Sequence, residues 1–409
     1  MMLTPYRDAL ALPGVRSLML LALLVRIPKT MTLLALTLYV VEHLGHGYAA
    51  AGLAGAAMTI GAALGAPVLG RLVDRRGLRP VLALTTVAEA AFWFAAPLMP
   101  YPVLLVGALL GGLLTLPVFS VVRQSIAALV PEDRRRPAYA LDSMAVELSF
   151  MVGPAVAVLL ATGVSPRATL LVVGGGIVLS GLALLWLDPP TRGAGEPAGA
   201  VGPPPSRRDW LTSRLVGLLA VTSAATLVLA GTDVAVVAVL RAADQVHWTG
   251  VVLGLWAVCS LVGGFAYGLV TRPVSPLAIV MLLGICTIPV GLGGAQWWSL
   301  GLALLPAGLL CAPALAATSN AVSQLVPSGV RGEAMGLQNS AITFGLALGA
   351  PLTGAVIDAS APVWGFAAIG LVGTLLGLAF LLVESRRRRT APDAPSPDPR
   401  HAPGPMVSP

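Results

Sequence analysis

Twelve apolar runs divide this chain, at about residues 17–41, 47–69, 79–99, 102–123, 138–161, 167–187, 214–240, 247–270, 275–293, 298–321, 334–357 and 362–384. A helix rising about 1.5 Å per residue needs roughly 20 apolar residues to cross a hydrocarbon core of about 30 Å. Each run meets or approaches that length, and none shows the ten-residue alternation of a membrane barrel strand. Only 11% of the residues are charged, against about 25% in a soluble domain. Such a chain cannot clothe a globular surface in polar groups, so its excess apolar surface faces lipid. Most of its 46 glycines lie inside the apolar runs, where small residues let helices approach closely. The fold class expected is all-α integral membrane, with twelve transmembrane helices in two six-helix bundles.

Basic residues orient the chain. With the termini in the cytoplasm, the inner segments carry Arg71, Arg75, Arg76, Arg79, Arg134, Arg135, Arg136, Arg192, Arg207, Arg208, Arg331 and Arg386 to Arg389, while the outer loops hold only Arg167 and Arg241. The positive-inside rule therefore predicts both termini cytoplasmic in a cell membrane, and it accounts for a pI of about 9.9 without nucleic acid. No cleavable leader is evident before the first run, which reads as an anchor. Cys259, Cys286 and Cys311 all fall inside apolar runs, so no disulfide framework is expected.

The longest inner loop, residues 188–213, reads DPPTRGAGEPAGAVGPPPSRRDWLTS, a Pro- and Gly-rich linker with no apolar face. It separates an N-terminal bundle, 1–187, from a C-terminal bundle, 214–385; a Pro-rich cytoplasmic tail, 386–409, is expected to be disordered. The halves repeat. A shift of 196 lays Leu129-Val130-Pro131 on Leu325-Val326-Pro327, Arg135 on Arg331 and Gly153 on Gly349, and a shift of 198 lays Gly52, Gly65 and Gly70 on Gly250, Gly263 and Gly268. Parallel repeats about an axis along the membrane normal are a transporter signature, with the substrate path between the halves.

Between the second and third runs stands Gly70-Arg71-Leu72-Val73-Asp74-Arg75-Arg76-Gly77-Leu78-Arg79. In spacing and position it resembles the G-x-L-x-D-R-x-G-R/K-R signature of the major facilitator superfamily. The resemblance implies that Gly70, Asp74, Arg75, Gly77 and Arg79 form a conformational latch, with Asp74 capping the start of the eleventh helix near Gly332 or Glu333 and meeting its positive dipole end. The second copy, from Gly268 to Pro273, lacks the aspartate, which makes the latch one-sided. Gly153-Pro154 in the fifth helix resembles a degenerate form of the family's antiporter motif, a helix bend among small residues. Ser149, Ala157 and Val158 stand where the full motif has glycine, and Gly107 stands where many drug exporters carry an arginine.

Charges at depth are the candidate working parts, because an intramembrane charge is costly unless paired or wetted. Arg26 lies about 15 Å beyond Arg16 and Lys29 one turn further, on either side of Pro28. Glu147 lies roughly 14 Å into the fifth helix, and a pair between Arg26 or Lys29 and Glu147 is expected. Two roles stay open for it: proton or substrate exchange at a cavity, or a structural ion pair. Asp233 in the seventh helix is either a proton or substrate site or a group facing outer water. Glu89 reads equally as packing or coupling, Asp142 as a partner of cytoplasmic basic residues, and Arg123 as a loop-facing anchor.

The substrate and proton-coupling candidates are thus Arg26, Lys29, Glu147 and Asp233. No phosphate-binding G-x-x-x-x-G-K-[ST] occurs, which argues against an ATP-driven pump within this chain. His43, His46, His247 and His401 lie outside the helices or at their ends, which argues against an intramembrane enzyme, and the loop pair His43 and His46 has no third ligand, so no metal and no cofactor are expected. The expected function is alternating-access transport by a monomer whose partners are a small molecule, protons and the lipid bilayer. Proton-coupled efflux of an amphipathic compound stands first, and proton symport or uptake of an organic anion second. The rival of another class is a non-transporting sensor or scaffold, which predicts that the deep charges tolerate neutral substitution.

Overall fold

A computed structural model describes residues 4–192, 206–270, 274–294 and 296–390. Twelve helical segments in it are long and apolar enough to cross a membrane, and the described residues contain no strand. These spans run Val15–His43, Ala50–Arg76, Leu78–Leu98, Tyr101–Leu129, Glu132–Gly163, Pro166–Leu187, Ser213–Ala242, Val246–Leu269, Pro276–Gly293, Trp297–Leu325, Ser328–Ala359 and Trp364–Leu381. With twelve crossings, the two ends of the described chain lie on one side, the terminal side. A short helix, Thr4–Leu10, precedes the first span there, and Gly14, at φ +80°, turns the chain into it.

Several helices outrun the apolar runs that predict them. The fourth continues to Leu129 and the fifth begins at Glu132. Hydropathy stops at the first polar residues, whereas helical hydrogen bonding carries on until Pro131 removes a donor. The expected linker has structured ends: Arg79 pairs with Asp188 at 2.8 Å, and Ser206 and Asp209 form a capping box on the short helix Arg207–Trp210. Residues 193–205 and 391–409, the rest of the linker and most of the tail, lie outside the described residues.

The duplication is visible in the packing. In the first half the first span packs on the fifth and sixth, the second on the fourth, and the third on the sixth; in the second half the seventh packs on the eleventh and twelfth, the eighth on the tenth, and the ninth on the twelfth. The glycines matched by the repeat sit at equivalent contacts. A Cβ on Gly65 would fall on the carbonyl of Leu113, and one on Gly263 would fall on the carbonyl of Leu309. In the same way Gly153 abuts Thr30 in the first span and Gly349 abuts Leu227 in the seventh. Backbones meet there because no side chain intervenes.

The bundles meet through the second and eleventh spans and through the fifth with the eighth and tenth. The hydrogen bonds that bind them run from the terminal side to about the middle of the spans. Ser340 Oγ donates to the Ala63 carbonyl at 2.6 Å, Arg136 Nη1 to the Val270 carbonyl at 2.5 Å, and Ser260 Oγ to Glu147 Oε1 at 3.0 Å. The protein is closed on its terminal side.

Candidate functional site

The second span ends in Arg75 and Arg76, and Gly77, at φ +84°, makes the sharp turn into the third. This geometry aims Asp74 at the opposite bundle. Its Oδ1 accepts the Gly332 N–H at 2.9 Å and its Oδ2 the Glu333 N–H at 2.8 Å, both in the first turn of the helix Arg331–Ala359. A carboxylate on two orphan N–H groups at a helix start gains charge-assisted hydrogen bonds and the favourable end of the dipole. Gln124 Nε2 adds a third bond at 3.1 Å. Gly70 lets the backbone of the second span touch that of Gly332. Around this centre, Glu333 pairs with Arg71 at 2.8 Å and Arg207, and Arg192 donates to the Asp74 carbonyl at 2.5 Å. Both described edges of the linker thus hold the closure. Arg75 is exposed, and Arg79 belongs to the ion pair with Asp188.

At depth the structure re-pairs the charges. Arg26 does not reach Glu147; its Nη2 lies 2.6 Å from Asp142 Oδ1, and Arg123 Nε lies 3.4 Å from Asp142 Oδ2. The reason is helical phase. Asp142 and Glu147 are five residues apart, about 140° around the fifth span, so one faces the first span and the other the eighth. Arg26 is fully buried, its guanidinium lies 5.1 Å from the centre of the Phe119 ring, and its Nε has no partner. Asp142 therefore belongs with intramembrane arginines rather than with the cytoplasmic ones. Arg123 is a buried member of the same cluster, not a loop anchor, because the fourth span continues past it to Leu129.

Lys29 also leaves Glu147 aside. Its Nζ donates to Glu89 Oε1 at 2.7 Å and to Thr115 Oγ1. Glu89 is 2% exposed, and it also accepts from Thr115 Oγ1 at 2.6 Å, from Trp93 Nε1 at 2.6 Å and from the Leu116 N–H at 3.0 Å. That last donor exists because the fourth span is broken. Helix Tyr101–Leu113 stops, residues 114–117 are not helical, and a second helix runs Val118–Leu129. Pro117 disfavours a helical Leu116 before it, and lipid tolerates the freed amide only because a buried carboxylate takes it. Thr115-Leu116-Pro117 inside an apolar run is the sequence signal for this break, one that hydropathy alone does not register.

Glu147 is left half-buried on the fifth span with, among the described residues, one hydrogen-bond partner, the Ser260 hydroxyl of the eighth. Ser260 Oγ in turn accepts the Ala312 N–H of the tenth span at 3.1 Å, tying three spans together. Asp233 on the seventh span is exposed and has no ion-pair partner among the described residues. Gly153 seats the fifth span on Thr30, whose Oγ1 donates to the Ser149 carbonyl at 2.8 Å, with Pro154 following within the helix. Of the four predicted depth residues, Arg26 and Lys29 each join a separate ion pair, while Glu147 and Asp233 have no counter-cation among the described residues.

A family model described as the Major Facilitator Superfamily matches residues 18–292 and 269–406. Among solved structures, the chain is similar to the human organic anion transporter MFSD10 (TETRAN), at 20% identity and a TM-score of 0.72, over 90% of this chain and 99% of that one. It is also similar to a bacterial homologue of the iron transporter ferroportin in its outward-facing state, at 15% identity and a TM-score of 0.71, over 91% of this chain and 100% of that one. The same homologue soaked with iron gives 16% identity and a TM-score of 0.70, over 90% and 99% of the two chains. No curated protein matches the chain. At these identities the structural likeness speaks to fold alone.

Proposed function

This chain belongs to the Major Facilitator Superfamily and is a multi-pass membrane transporter, not an enzyme; on that premise we propose that it couples proton movement to the efflux of an amphipathic small molecule. The reading places it in the cell membrane with both termini cytoplasmic, so that the closed terminal side is the inner one. The observation that carries it is the charge inventory at depth. Arg26 and Lys29 are each neutralised by a carboxylate, whereas Glu147 has only a hydroxyl and Asp233 no counter-cation among the described residues. Intramembrane charge left unpaired is expensive and marks ion or substrate paths. In this reading Glu147, on one bundle, and Asp233, on the other, take up protons in one state and surrender them in the other.

The test is flux in proteoliposomes with an imposed pH gradient and a panel of cationic, neutral and anionic amphiphiles. Efflux-type exchange driven by the gradient is expected, and solute movement indifferent to the gradient for every compound overturns the coupling. Orientation is tested separately, on a background lacking Cys259, Cys286 and Cys311. A cysteine at Asp209 should react only with inside reagent and one at Leu44 only with outside reagent; the reverse pattern inverts the topology.

One observation favours a second reading, uptake of an organic anion by proton symport. Arg26 and Arg123 share a single carboxylate, Asp142, which leaves one buried cation in excess. The MFSD10 structure, with a similar fold, is that of an organic anion transporter. The anionic members of the same flux panel decide between the two.

A further inference from the structure

The duplication sets Gly268 at the place of Gly70, yet the second copy has no carboxylate to match Asp74, since the shift of 198 brings Arg272 there. The first-half site closes on the backbone of Gly332 in the eleventh span. The second-half site closes on something from outside the repeat. A Cβ on Gly268 would fall on the phenol oxygen of Tyr6, from the short helix Thr4–Leu10 that precedes the first span.

Tyr6 reaches across the bundle boundary. Its Oη donates to the Phe265 carbonyl at 2.5 Å and to the Gly264 carbonyl at 3.3 Å, and its ring stacks on Phe265 with centroids 5.0 Å apart and planes 11° from parallel. The helix that bears it packs on the fifth span, and only 5% of Tyr6 is exposed. Arg136 completes the contact. It is the counterpart of Gly332 under the shift of 196, it donates to the Val270 carbonyl, and its guanidinium lies 5.6 Å from the Tyr267 ring centre. Burial pushes the Tyr6 phenol up to about 12, so it keeps its proton, and its role as donor, across the neutral range.

We propose that the helix Thr4–Leu10 is a clasp between the bundles: Tyr6 holds the eighth span against the fifth on the terminal side, supplies the closure that the second repeat lacks, and must let go before that side opens. The clasp rests on the alternating-access reading, but its test reads shape rather than flux. The phenol donates to carbonyls whose helical acceptor role is already filled, so release leaves the eighth span intact. Phenylalanine would keep the ring stack and remove only the hydrogen bonds, which makes the substitution a narrow probe.

The experiment uses the full chain in nanodiscs, free of native cysteines, with spin labels at Asp133→Cys and Ser275→Cys, both exposed on the terminal side. Electron–electron double resonance gives the populations of closed and open terminal sides. A net hydrogen bond predicts that Tyr6→Phe raises the open-to-closed ratio about 2- to 10-fold. Gly268→Ala, which attacks the same contact from the other bundle, should do likewise, and the two together should be less than multiplicative because they break one interaction. Asp74→Asn serves as the reference opening. If Asp74→Asn opens the terminal side and Tyr6→Phe leaves the populations unchanged, the clasp is wrong and alternating access stands. If no variant yields an open population, both readings fall. A lowered melting temperature with unchanged distances also overturns the clasp, since it makes Tyr6 mere packing.

Discussion

Asp74 and Glu333 belong to different bundles, yet the carboxylate of the first accepts the backbone N–H of the second at 2.8 Å. This buried carboxylate is one of several contacts that close the terminal side, beside those of Arg136, Ser340 and Tyr6. Asp74→Asn keeps the size but removes the charge and leaves one acceptor oxygen for the two N–H groups. Charged hydrogen bonds are worth about 1.5–3 kcal/mol against about 1 for neutral ones, and one of the two is lost outright, so the closed state should weaken by about 2–4 kcal/mol. Turnover should slow, and terminal-side cysteines should label faster. A variant with wild-type turnover and wild-type labelling rates removes Asp74 from the gating.

Glu147→Gln should abolish proton-driven flux while leaving the protein inserted and monodisperse, because the amide still accepts from Ser260 Oγ, the hydroxyl that bridges to Ala312. Downhill exchange of solute without a pH gradient is the discriminating measurement. It should survive in this variant if Glu147 carries protons; if the residue only holds the spans together, the amide keeps the Ser260 bond and proton-driven flux itself should persist.

Lys29→Met strands Glu89 in a site that is 2% exposed. Breaking a buried pair by deleting one partner costs about 3–5 kcal/mol. Thermal unfolding in detergent should show a large loss for Lys29→Met alone and substantial recovery for Lys29→Met with Glu89→Gln, in which a neutral amide still offers oxygen to the Leu116 N–H. Equal losses in the single and double variants would mean that charge burial is not the issue at this position.

Gly65→Ala drives a methyl group into the Leu113 carbonyl, where the second and fourth spans touch. Overpacking of this kind costs about 1–3 kcal/mol, and reduced thermal stability is expected. Gly250→Ala meets nothing within 4 Å and should match the wild type or exceed it slightly. The two alanines differ only in their surroundings, so the comparison reads helix proximity and not the general effect of losing a glycine.

The Asp74 contact and the spans were legible in the sequence because each is local. Twenty apolar residues declare a crossing by themselves, and Asp74 sits in a contiguous motif whose target, the start of the eleventh span, follows from the count of helices. The deep pairing was not legible. Whether Arg26 meets Asp142 or Glu147 depends on the rotation of the fifth span, and residues five apart on a helix face ways that hydropathy does not record. Arg123 was misplaced because an apolar window ends where polar residues begin, whereas the helix goes on to Leu129. Tyr6 carried no signal at all, since its partners are backbone carbonyls some 260 residues distant.

The interruption at Pro117 bears on how the molecule is made. A lone fourth span entering the bilayer would carry the amide of Leu116 into hydrocarbon with no acceptor, and a lone third span would carry Glu89 there with only the Trp93 indole of its own helix as donor. Only Met99 and Pro100 separate the two helices. During synthesis they therefore gain by leaving the translocation machinery as a hairpin, with the amide already seated on the carboxylate before either meets lipid.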